Sequence, residues 1–177
     1  MRKIWLLVLV VAVLSQSACG YSLAGRGSFL PAYIKRIGIP LFTNATTQFD
    51  LDRRVTDRVR AEFIGRGKWT VVPDDTGVDA VVIGTITSLT LTPAAFNLQQ
   101  QATRYSLVMT GSVEVKDLQA NKVLWSNPAM TYHEEFASPS ATSTLDIASF
   151  FGQDTNSLDR VSNEFARALV SAVLEAF

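Results

Sequence analysis

Thr103 to Leu118 reads TRYSLVMTGSVEVKDL. In an extended chain Tyr105, Leu107, Met109, Val113 and Val115 fall on one side, with Arg104, Ser106, Thr110, Ser112, Glu114 and Lys116 on the other. A period of two held this long predicts a strand with one face on a core and one in water, as antiparallel sheets have. Asp117 to Asn121 then reads as a hairpin turn into a partner strand over Lys122 to Glu135, which contains VLW and TYHEEF. Upstream, Val78 to Thr92 (VDAVVIGTITSLTLT) is rich in β-branched residues and bounded by Gly77 and Pro93. Further back, Ile34 to Phe42 alternates through Ile37, Ile39 and Leu41, with Pro40 placing that strand at or near an edge. Thr43 to Gln48 is a polar turn. Trp69 to Pro73 is a short strand closed by the turn Asp74 to Gly77.

Two stretches change period. Over Asp50 to Arg66, Leu51, Val55, Val59 and Phe63 recur every fourth residue, while most of the charged residues lie off that stripe. This predicts an amphipathic helix with Asp50 as N-cap and Gly65 or Gly67 as the stop. Ser157 to Phe177 repeats the pattern through Leu158, Val161, Phe165, Leu169 and Ala172, with Asn156 placed to cap it. Between strands and closing helix, Ala137 to Asn156 is a long Ser/Thr-rich connection, too long for a simple turn. Two one-sided helices and a one-sided sheet bury their apolar faces together most economically as an α+β two-layer sandwich. Both helices then pack on one face of a four- to five-stranded mixed, mostly antiparallel sheet.

The first residues, MRKIWLLVLVVAVLSQSAC, have the layout of a lipoprotein signal peptide. Arg2 and Lys3 precede an apolar run from Ile4 to Leu14, about half the length needed to cross a bilayer. Ala18 before the single cysteine, Cys19, suits signal-peptidase cleavage and lipidation there, although Gln16 stands where an apolar residue is usual. The expected organisation is a signal peptide over 1–18, a glycine-containing lipid-anchored tether over 19–33 and one domain over 34–177. Acyl chains on Cys19, palmitate among them, provide the multiple lipids that stable anchoring needs. With Cys19 acylated, neither a disulfide nor a thiolate metal site is expected, so the core alone must stabilise the fold. Without Arg2 and Lys3, 14 basic residues face 16 acidic ones, a mildly acidic balance with no basic stripe to suggest nucleic acid.

Catalytic signals are weak. His133 is the one histidine; His133-Glu134 has no second His to complete a zinc motif and lies in a strand context. Gly25-Arg26-Gly27 is too short for a phosphate loop, Gly65-Arg66-Gly67 reads as a helix stop, and Asp74-Asp75 as a turn. No enzyme activity and no cofactor or metal are expected. Binding is expected instead, through the polar strand face, the Ser/Thr-rich connection and the loop Ala94 to Ala102. Phe96, Phe150 and Phe151 are apolar residues in polar surroundings that could anchor a partner.

The mature start Cys19-Gly20-Tyr21-Ser22-Leu23 resembles the LPS-assembly lipoprotein LptE family. The resemblance continues through Gly25-Arg26-Gly27-Ser28, Leu30-Pro31 and Ile37-Gly38-Ile39-Pro40-Leu41-Phe42-Thr43-Asn44. It extends over Glu62 to Gly67, Asp79-Ala80-Val81-Val82, Gly84-Thr85-Ile86, Arg104-Tyr105 and Lys122-Val123-Leu124-Trp125, covering nearly the whole chain. It implies a non-catalytic two-layer α/β sandwich anchored on the periplasmic face of the outer membrane. There the family plugs the LptD β-barrel, supports its assembly and takes part in lipopolysaccharide insertion into the outer leaflet. Lipopolysaccharide carries phosphates, for which Arg104, Lys116 and Lys122 are the candidate ligands on the strands. The competing expectation is a lipid-anchored accessory subunit of another envelope machine, an ABC-type lipid transporter or a secretin.

Overall fold

A computed structural model describes residues 30–142 and 155–175, with side chains described up to 137 and from 156. The signal peptide, Cys19, Phe150 and Phe151 lie outside the described residues. The long alternating stretch is strand β5, Ala102–Asp117, and from Tyr105 onward buried positions alternate with partly exposed ones: Tyr105, Leu107, Met109, Val113 and Val115 are all buried. It pairs antiparallel with β4 (Ala80–Phe96) on one side and β6 (Lys122–Thr142) on the other. Beyond β4 lies β1 (Arg36–Gly38), parallel to it, and then β3 (Thr70–Val72) at the edge. A short β2 (Thr43–Asn44) joins β4 further along, giving six strands in the order β3-β1-β4-β5-β6 with β2 beside β4.

Helices α1 (Leu51–Gly65) and α2 (Thr155–Leu174) pack against each other and close one sheet face. The α1 stripe Leu51, Val55, Val59 and Phe63 is fully buried and joins one core cluster with Leu158, Val161, Phe165 and Leu169 of α2. Each such side chain contributes roughly 1.5–3 kcal/mol of burial. Two glycines form the floor of this core. The apolar row of β5 lapses at Gly111, where a Cβ would lie 3.1 Å from the Phe165 ring. Gly84 on β4 lies directly beneath the ring of Phe42, only 2.4 Å from where a Cβ would stand.

Several expectations are corrected. The sheet has six strands rather than four or five, because Thr43–Asn44, expected as a turn, pairs with Thr85 and Ile86. β1 lies one strand in from the edge strand β3, near an edge as expected, and Pro40 follows it where the extended run is interrupted. Leu41 is exposed and Phe42 buried, so the alternation reverses there. Side chains of α1 satisfy the interrupted backbone, with Thr56 Oγ1 accepting from the Phe42 N–H at 3.0 Å and Arg60 donating to the Ile39 carbonyl at 2.9 and 2.7 Å. Pro93 does not end β4, which continues to Phe96 with register shifts around Ala95. Among the described residues no strand pairs β4 on its β2 side beyond Ile86, so a residue without an N–H is tolerated. The predicted Ala94–Ala102 loop shrinks to 97–101, and Ala137–Thr142, expected in a connection, extends β6. Asp50 occupies the N-cap position of α1 as expected, with φ 63°, but its side chain makes no capping bond; its carboxylate binds Arg53 at 2.8 Å instead. Asn156 lies inside α2 rather than capping it.

Candidate functional site

The sheet face away from the helices is assembled from paired rows across β4, β5 and β6. Successive rows place Thr92, Ser106 and Glu135 together, then Thr90, Val108 and His133, then Ser88, Thr110 and Thr131, then Thr85 beside Ser112. Directly paired residues share a face, so this surface is lined mainly by hydroxyls. Thr87 sits at the bulge between Ile86 and Ser88 and donates to the Thr110 carbonyl at 3.1 Å. Charge is confined to the ends of the face, with the Arg104–Glu135 pair (3.1 Å) at one and Glu114 and Lys116 towards the other. Among the described residues, no group of three His, Cys, Asp or Glu is placed to hold a metal ion. The hydroxyls are spread over an extended surface, which suits hydrogen bonding to a broad partner.

The β4–β5 hairpin ends in an ordered tip. The Asn97 side chain accepts from the Gln99 and Gln101 N–H groups at 3.0 and 2.8 Å and donates to Gln101 Oε1 at 3.0 Å. Gln100 takes a left-handed conformation, φ 58°. The tip presents Phe96, 59 % exposed, and Leu98, 97 % exposed.

At the other end of the sheet the chain enters the domain. Leu30 and Ile34 are buried, and the Tyr33 hydroxyl donates a short hydrogen bond to the buried Asp117. That bond first, then the Ala120 and Gln119 N–H groups, hold the Asp117 carboxyl below its ordinary range against the effect of burial, and the Tyr33 phenol is pushed up. Asp79 is lowered in the same way, by the Arg36 and Lys35 N–H groups and then the Gln119 amide, again against burial. Lys116 and Lys122 belong to this end, being aligned with Val123 and Asp117. Arg104 lies twelve residues from Lys116 along β5, about 40 Å away. The structure therefore separates the three candidate phosphate ligands into two groups. Phe96 stands at the tip with Leu98, a neighbour that sequence reasoning passed over. The hydroxyl rows were hidden because the bulge at Thr87 breaks the alternation of β4.

A family model described as LptE, lipopolysaccharide-assembly, matches residues 34–173. The chain belongs to the LptE family. Membership places it among the accessory, membrane-associated lipoproteins of lipopolysaccharide assembly, a family that is non-enzymatic. No curated protein sequence matches significantly. Among solved structures, the fold is similar to a PelC dodecamer subunit from Paraburkholderia phytofirmans (12 % identity, 84 % of this chain and 94 % of that chain, TM-score 0.52). It is also similar to a minor lipoprotein from Acinetobacter baumannii (14 % identity, 81 % and 92 %, TM-score 0.50). At such identities these likenesses show the LptE-family chain's fold and nothing finer.

Proposed function

We propose that the chain is anchored through acylated Cys19 at the periplasmic face of the outer membrane. Its domain plugs an LptD-like β-barrel and supports the barrel's assembly during lipopolysaccharide insertion. The hydroxyl-lined sheet face carries this reading. The interior of a membrane barrel is polar, and a plug bearing many charges would have to desolvate them on entry. Serine and threonine hydroxyls exchange water for wall groups at little net cost. The long, register-locked strands supply a rigid surface, and Phe96 and Leu98 supply apolar anchors at its tip. A single phosphate cluster of lipopolysaccharide would meet Arg104 at one end or Lys116 and Lys122 at the other, since about 40 Å separates them.

Detergent extraction followed by affinity purification tests the partner. Co-purification of a large outer-membrane β-barrel is expected. Recovery of inner-membrane transporter or secretin components alone would refute the plug role and favour an accessory subunit of another envelope machine.

A further inference from the structure

Every lysine downstream of Lys3 lies at the chain-entry end of the sheet: Lys35, Lys68, Lys116 and Lys122. They come from four separate segments. Lys35 precedes β1, Lys68 precedes β3, Lys116 closes β5 and Lys122 opens β6. Pairing of Arg36 with Thr70, Ile37 with Ala80, Ala80 with Asp117 and Asp117 with Lys122 sets these segments in one transverse row. Strand spacing makes that row about 20 Å wide. Arg36 adds a fifth cation.

Among the described residues none of these five forms an ion pair, whereas Arg53, Arg54, Arg60, Arg66, Arg104 and Arg167 each pair with a carboxylate. The carboxylates within the row are already engaged, Asp117 by Tyr33 and the following turn, Asp79 by the start of β1 and by Gln119. Between the cations stand exposed apolar side chains, Tyr33 (47 %), Leu118 (38 %) and Val123 (42 %). Basic residues interleaved with an aromatic and aliphatic groups are the composition of a surface that lies on lipid headgroups.

We propose that this end of the domain rests against an anionic phospholipid surface, its five cations meeting headgroup phosphates beside the acyl anchor. The inference builds on the proposed lipidation of Cys19. Eleven residue steps separate Cys19 from Leu30, a span of at most about 38 Å even fully extended. β4 alone is about 53 Å long (Ala80–Phe96), so the leash confines the basic end to the neighbourhood of the acyl anchor and leaves the hairpin tip free to enter the barrel. Each cation near an anionic bilayer strengthens surface binding on the order of fivefold, an effect that salt removes within a Debye length.

The full acylated chain, reconstituted in nanodiscs, tests this by amine-labelling rates read by mass spectrometry. In discs with about 30 % phosphatidylglycerol, all four lysines should label roughly threefold or more slowly than in purely zwitterionic discs, and high salt should abolish the difference. Carboxyl labelling of Asp57 on α1 and of Glu175 just past α2 should not change. Equal lysine labelling in both discs on a chain whose Cys19 carries its acyl mass would overturn this inference and leave the anchor intact. Protection by added lipopolysaccharide but not by phosphatidylglycerol would also overturn it, assigning the cations to the glycolipid. A chain extracted from membranes without acyl mass at Cys19 would overturn the anchor and this inference together.

Discussion

Gly84→Ala tests how the sheet and the first helix are locked together. The new Cβ would stand 2.4 Å from two ring carbons of Phe42 and 2.7 Å from a third. The ring cannot simply swing out: Phe42 is 3 % exposed, and its N–H is held by Thr56 at 3.0 Å. Overpacking of this kind costs about 1–3 kcal/mol, against a gain of about 0.5–1 kcal/mol from replacing a strand glycine. The net loss of up to about 2.5 kcal/mol, towards the upper end for contacts this short, corresponds to a melting temperature lower by up to about 10 °C for a domain of this size. Thermal unfolding followed by circular dichroism reads this directly. Phe42→Leu should restore much of the loss when combined with Gly84→Ala, giving a clear coupling in a double-mutant cycle. A Gly84→Ala chain that melts at or above the parent temperature would refute the lock.

Val59→Asp puts an unpaired charge where the parent residue is 0 % exposed; a loss of about 4 kcal/mol or more, seen as little folded protein at 37 °C, is expected. Cys19→Ala should leave unprocessed or soluble periplasmic protein, and normal processing with full membrane retention would refute lipidation there. The depressed carboxyls of Asp79 and Asp117 stabilise the fold above their unfolded values near 3.8, so their contribution is lost as pH falls through the lower folded values. Tyr33 is raised, so its contribution is present below pH 10.0 and lost as pH rises through the folded value. The melting temperature should therefore fall at both extremes, and Tyr33→Phe should flatten the alkaline limb; an alkaline limb unchanged in the variant would show that Tyr33 does not cause it.

The core was legible because burial imposes a period. β5 alternates from Tyr105 onward and α1 repeats every fourth residue, so each could be placed from apolar residues alone. Strand ends were less legible. Beyond Ile86, β4 has no paired neighbour on one side among the described residues, and there Pro93 and exposed threonines can continue a strand that propensity would end. Ala137–Thr142 pairs through its backbone, a signal no side-chain pattern carries. The basic end was invisible for a different reason, since its five cations are far apart in sequence and are gathered by the parallel β1–β4 and antiparallel β5–β6 registers. The separation of Arg104 from Lys116 needed only the length of one strand, once both were known to lie on β5.

Site-specific photocrosslinking in living cells addresses the plug role most directly. Photoreactive residues at Thr90, Thr110 and Thr131 on the hydroxyl face should each capture a large outer-membrane β-barrel, while Arg58 on α1 serves as the comparison from the helix layer. Crosslinks to a barrel from the hydroxyl face are the expected result; no barrel adduct from any of its three positions would contradict the proposal.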